Sequence, residues 1–210
     1  MTNIRINSVR EPFVAAALYA KAAQFLRRAD AMGLVGEPIE TLDAGAVQQV
    51  ARAVAELGVA REPAARLSVG MRAGELPAEA LWEPYLDAAT RALEASPLPE
   101  RELQRLEATL GADLLADLLG VAPVSLARYL GGQRQTPDAV ADRAHLLTAL
   151  VAALEGTYNA YGLRRWFERP RSVLDGRSPR EVLAGEWQSH HPAAVQVRAL
   201  AESLAGFGAT

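Results

Sequence analysis

The 210-residue sequence predicts an all-α, multi-helical fold of two packed helical domains, the second carrying a helix-turn-helix. Three observations predict it. Apolar residues recur at helical intervals throughout, with no alternating strand pattern of useful length. Ser96-Pro97-Leu98-Pro99 places two prolines where their fixed φ opposes helix continuation, and so marks a domain boundary. The run LGADLLADLLGVAPVSLARYL, Leu110–Leu130, reads as two short helices reversing at Gly120. The organisation that follows is an N-terminal helical domain over 1–96 with no assigned role, a helix-turn-helix region over 100–155, and a C-terminal segment over 156–210.

Between Glu11 and Met32, the residues Val14, Leu18, Ala22, Phe25, Ala29 and Met32 form one stripe, while Gln24, Arg27 and Asp30 fall elsewhere. This is the pattern of a half-buried helix, which Gly33 and Gly36 end. Asp43 is an N-cap for a second helix bearing Val47, Val50, Ala51, Val54 and Leu57, with Gly58 its stop. Arg61 to Gly74 reads equally as a short helix or a loop. Leu81, Tyr85, Ala88, Ala89, Ala92 and Leu93 build the next helix, which Pro84 either kinks or opens.

After the proline break, Leu103, Leu106 and Leu110 give the first helix of the second half. In the helix-turn-helix, Leu114, Leu115, Leu118 and Leu119 supply one buried face, and Val121, Leu126 and Leu130 supply the other. Thr136-Pro137-Asp138 has the form of a helix start, with a capping hydroxyl, a first-turn proline and an acidic residue at the positive end of the dipole. That helix carries Leu146, Leu147, Leu150, Val151 and Leu154 on one face and stops at Gly156. Leu163, Trp166 and Phe167 then make an apolar ridge closed by Pro170. Leu174 anchors a loop, Asp175-Gly176 turns it, and Ser178 caps a short helix with Pro179 in its first turn and Glu181 as capping partner. Val182 and Leu183 dock that helix back onto the core.

Half of the chain is apolar and its formal net charge is −3, so any nucleic-acid contact must come from a local patch rather than a global field. There is no cysteine, which removes disulfides, thiolate nucleophiles, zinc knuckles and iron–sulfur ligation together. The start, MTNIRINSVREP, lacks the apolar core of a secretory signal, and no segment approaches roughly 20 uninterrupted apolar residues, so the expected location is cytoplasmic, away from the membrane. His145, His190 and His191 are too scattered for a metal site. Carboxylates such as Glu100 and Glu102 are without a histidine or metal constellation, and neither a nucleophile elbow nor a phosphate-cradling loop is present. The expectation is therefore a non-enzyme with no catalytic residues, no metal and no cofactor.

Two sets of residues remain as binding candidates. Counted from the turn, the base-facing positions of the second short helix are Pro123, Val124, Ser125, Ala127 and Arg128, of which Ser125 and Arg128 can hydrogen-bond to bases. Gln133 and Arg134, with Gln135, stand on the following glycine turn, suited to phosphate. The second set is the cluster Arg164, Arg165, Arg169, Arg171, Arg177 and Arg180, a local positive patch on an acidic protein. Trp166 belongs to the same stretch, although on spacing alone Trp166 and Phe167 read first as core.

Taken together, WF-x-x-P, the following leucine, DGRSP and EVLAG resemble the C-terminal toxin-binding domain of the Xre/MbcA/ParS-type antitoxins, in which a helix-turn-helix region also precedes that domain. The resemblance runs from Glu100 to Leu204. It implies an Xre-like region over 100–155 that binds operator DNA as an autoregulator, and a toxin-binding domain over 156–210 that neutralises a RES-domain, NAD-consuming toxin. It also implies a helical homodimer. By position, Ser125, Arg128 and Arg134 would contact DNA, and Arg164, Arg165, Trp166, Arg169, Arg171 and Arg177 would lie near the toxin-binding surface. The tail from Ala199 to Thr210, with Leu200, Leu204 and Phe207, supplies candidate apolar anchors for the toxin. Two features depart from the family: Ala122 stands where a hydroxyl cap precedes the recognition helix, and the first hundred residues have no counterpart. The competing expectation is a free-standing Xre-like transcription regulator whose N-terminal domain senses a ligand or dimerises.

Overall fold

The computed structural model describes residues 2–69 and 79–205, and the chain divides into two compact units, 2–96 and 97–210. The division falls inside the Ser96–Pro99 break. The described residues are mostly helical.

The first unit holds β1 (Ile4–Val9), α1 (Ala16–Ala31), β2 (Ile39–Leu42), α2 (Ala44–Glu56), α3 (Arg61–Val69) and α4 (Glu79–Glu94). Its two strands are the departure from a purely helical expectation. β1 and β2 pair in parallel, with Ile4 opposite Ile39 and Val9 opposite Leu42, and α1 is the crossover between them. β1 carries the alternation Ile4-Arg5-Ile6-Asn7 only until Ser8 breaks it, and β2, Ile39-Glu40-Thr41-Leu42, does not alternate. The α1 helix starts at Ala16 rather than Glu11, and Val14, expected on its buried stripe, is 60% exposed. Phe13 instead turns inward and meets Trp82 edge to face, with ring centroids 5.0 Å apart. Asp30, expected off the buried stripe, is buried: its carboxylate accepts from the Thr2 hydroxyl at 2.9 Å and the Asn3 amide at 3.0 Å, and so holds the chain leading into β1.

Asp43 caps α2 as its sequence position requires, accepting from the Ala46 amide at 2.9 Å. The open reading of Arg61–Gly74 resolves as helix through Val69, and its remainder lies outside the described residues. Pro84 sits inside α4 rather than in its first turn.

The second unit holds α5 (Pro99–Leu110), α6 (Ala112–Leu119), α7 (Pro123–Leu130), α8 (Asp138–Leu154), α9 (Ala160–Glu168), a 3-10 turn (Ser172–Leu174), α10 (Pro179–Val182) and α11 (Pro192–Ala205). One hydrophobic core runs from Leu103 to Ala201, so residues 100–155 and 156–210 pack around shared apolar contacts. α8 is central to that core. It buries Val140, Ala144, Leu147, Leu150, Val151 and Leu154 together with Arg143 and Thr148, more of its circumference than a single leucine face. Its start also differs from expectation: Pro137 is the N-cap and no side chain caps it, so Thr136 does not perform that task. In α11, Ala194, Val197 and Ala201 enter the core, and Leu200 and Leu204 pack partly against it. Those two leucines are therefore drawn toward their own core, which weakens them as anchors for a partner; Phe207 lies outside the described residues.

Candidate docking and nucleic-acid surfaces

The helix-turn-helix is formed as its spacing demands. Gly120, with φ 64° and ψ 37°, ends α6 in the left-handed region, and the amides of Gly120 and Val121 return to the carbonyls of Asp117 and Ala116 at 3.0 Å each. This pattern satisfies two of the carbonyls left open at a helix end. The next two are satisfied from elsewhere in the fold. Trp187 Nε1 donates to the Leu118 carbonyl at 2.9 Å, and Arg143 Nη1 donates to that of Leu119 at 2.7 Å. Arg143 Nε also donates to the Trp187 carbonyl at 2.7 Å, and its guanidinium lies 5.9 Å from the Trp187 ring centroid. Asp142 continues the clasp by accepting from the Ser189 amide and hydroxyl at 3.0 and 2.8 Å. An open groove of about 360 Å³ runs beside this contact, with the Arg180–Asp117 ion pair in its lining.

On α7, Leu126 and Tyr129 are buried, while Val124, Ala127 and Arg128 are exposed and Ser125 is half-buried. Gln133 and Arg134 are exposed on the following turn, with the Arg134 guanidinium 5.8 Å from the Tyr129 ring centroid. The four predicted DNA-contact residues thus lie on one short helix and its exit turn. Ala122 makes no side-chain cap, as its methyl group dictates.

The C-terminal candidates separate by environment. Asn159 caps α9 by accepting from the Gly162 amide at 2.9 Å. Trp166 and Phe167 are buried and meet edge to face at 5.0 Å, so Trp166 is not a surface contact as it stands. Its spacing beside Leu163 fixed that inward position. Arg164 donates to the Thr109 carbonyl at 2.9 Å, capping the end of α5 rather than facing a partner. Arg165, Arg169 and Arg177 are exposed. Arg171 is half-buried, with its guanidinium 5.8 Å from the Trp166 ring centroid.

The loop carrying Arg171 and Arg177 is closed on itself. The Arg171 amide donates to the Arg177 carbonyl at 2.9 Å and the Gly176 amide returns to Arg171 at 3.0 Å, with Asp175 left-handed at φ 57° between them. Ser178 and Glu181 then form a full capping box on α10. The Ser178 amide donates to the Glu181 carboxylate at 2.7 Å and the Ser178 hydroxyl at 2.9 Å; with the nearby Arg177 charge, these hold the carboxyl below its usual range.

Several working residues had no sequence signal. Arg143 and Trp187 lie outside every motif, since a lone arginine within an apolar helix gives no indication of which carbonyls it will meet. Glu102 does acquire a histidine: His145 Nδ1 is 2.6 Å from its buried carboxylate, joining α5 to α8. Among the described residues, no group of three or more histidine or acidic side chains is placed to hold a metal ion, and no helix is long and apolar enough to cross a membrane. Comparison with known protein families, curated proteins and solved structures returns no match to this chain.

Proposed function

We propose that this protein is a non-enzymatic, antitoxin-like docking protein that binds and neutralises a RES-domain toxin through residues of its second unit, and that it contacts operator DNA through α7 as a dimer. The observation that carries the docking reading is the presentation of Arg165, Arg169, Arg171 and Arg177. They stand on a helix and loop whose backbones are fixed by the Asn159 cap, the Arg171–Arg177 closure and the Ser178–Glu181 box. Arginines presented on a fixed backbone, together with exposed aromatic and aliphatic surface, are what protein interfaces enrich. The resemblance of WF-x-x-P and DGRSP to the antitoxin domain supplies the identity of the partner.

Co-expression with the RES-like protein of an adjoining reading frame tests this. The expected outcome is a co-purifying complex and recovery of cellular NAD, both abolished when Arg165, Arg169 and Arg177 are replaced together by glutamate. No complex, with the toxin soluble and active, removes the proposal.

The second reading, a free-standing regulator, is favoured by the exposed Arg128 on α7 and Arg134 on its exit turn. A gel shift with the adjoining upstream DNA addresses it. Arg128→Ala and Arg134→Ala are each expected to weaken binding and to flatten its salt slope by about one unit, the change that follows when one phosphate is no longer neutralised. DNA binding insensitive to both changes would leave that reading without support.

A further inference from the structure

Resting on the docking reading, we infer that the α9–α10 surface takes an acidic, leucine-bearing protein segment rather than nucleic acid, with Arg171 as its anchor. Among the described residues, the other cations of this region are committed: Arg164 to the Thr109 carbonyl, Arg180 to Asp117 and Arg198 to Glu202. Arg165, Arg169, Arg171 and Arg177 make no ion pair there. Arg171 differs from the other three. Its guanidinium rests against Trp166, its Nε is buried without an acceptor, and its backbone is tied to Arg177 and Gly176 across the loop. A partly desolvated, stacked guanidinium has already given up much of its rotamer freedom, so an arriving carboxylate gains more there than at a free surface arginine.

The surroundings choose the class of partner. Tyr161 and Val173 are 65% and 61% exposed. Tyr161 and Arg165 stand four residues apart on α9, so an apolar and a cationic group share one face, and Arg169 follows as the extended residue that ends the helix. Glu168 and Asp175, both exposed in the same stretch, repel any anionic partner alike, so it is the exposed Tyr161 and Val173, which a phosphate backbone cannot cover, that favour a protein segment. A peptide alternating carboxylates with aliphatic side chains fits both features.

Fluorescence anisotropy of the full chain tests this with three labelled probes: a short peptide alternating glutamate and leucine, a polyglutamate of equal length, and a duplex of mixed sequence. The glutamate–leucine peptide is expected to bind saturably and more tightly than polyglutamate. Arg171→Ala and Arg171→Lys should each weaken it about tenfold, because lysine keeps the charge but not the planar fork. Arg165→Ala combined with Arg169→Ala, at exposed positions that leave Trp166 covered, should weaken it too, and Arg198→Ala on α11 should not.

Absence of saturable peptide binding overturns the inference, as does a lysine variant equal to wild type. So does a duplex that binds more tightly than the peptide through the same arginines. A RES-domain protein that fails to co-purify while these peptide results hold removes the identity of the toxin and leaves the acidic-segment site standing. A toxin complex indifferent to Arg171 does the reverse.

Discussion

Gly120 is held to glycine by two separate constraints. Its φ of 64° is costly for any side chain, and a Cβ built there would lie 2.3 Å from the Gly185 carbonyl oxygen, a backbone atom with no rotamer to yield. Gly120→Ala is expected to destabilise the second unit by about 3 kcal/mol or more, read as a lowered urea midpoint. Arg143 makes the complementary case. Replacing it by methionine keeps much of the volume but strands the buried carbonyls of Leu119 and Trp187. A loss of about 2–4 kcal/mol is expected, and if Arg143→Met were neutral in denaturant melts the clasp would contribute nothing net. The glycine was legible from the reversal between two leucine runs. The arginine was not, because its partners are carbonyls 24 and 44 residues away that any sequence presents.

At the scale of the element, α10 is only four residues long and depends on its cap. Ser178→Ala should cost about 1 kcal/mol. The carboxyl of Glu181 is held below its usual value, so its contribution is complete above the unfolded-state pKa and is lost as pH falls through the lower, folded-state value. Stability followed downward from about pH 6 should therefore show an acid-side loss that Glu181→Gln lacks, and superimposable wild-type and variant curves would contradict this assignment. The box was readable from Ser178-Pro179 and Glu181 because capping is local. The Thr136 start misleads for a related reason: the local signature allows a cap at Thr136, but the backbone of Pro137 already occupies that position. β1 and β2 leave only the short alternation Ile4-Arg5-Ile6-Asn7 in the sequence, because they are held by pairing with each other across 33 to 35 residues.

Across the whole molecule, the division at Ser96/Pro97 separates two bodies, each with its own buried aromatics: Phe13 and Trp82 in one, Trp166 and Phe167 in the other. Residues 97–210 expressed alone are expected to give a helical circular dichroism spectrum and a single cooperative melt, since their core is continuous from Leu103 to Ala201. A molten spectrum would contradict this. Within the candidate surface, the sequence located the arginine cluster as a group but could not sort its members. Arg164, Arg171 and Arg177 are equivalent in composition, and only packing sends the first to a helix end, lays the second on an indole and leaves the third in water.

Helical periodicity, caps, proline breaks and the glycine reversal are interactions within a few residues, and for that reason the chain alone determined the multi-helical class, the place of the break, and the helix-turn-helix followed by a capped loop. Tertiary structure decided what depends on distant partners: the parallel pair of strands, the burial of Asp30 and Arg143, the withdrawal of Trp166, Leu200 and Leu204 toward the core, and the sorting of the arginines between structural and exposed roles. Those outcomes rest on backbone groups and apolar surfaces brought together only when the chain closes on itself, and no local pattern encodes them.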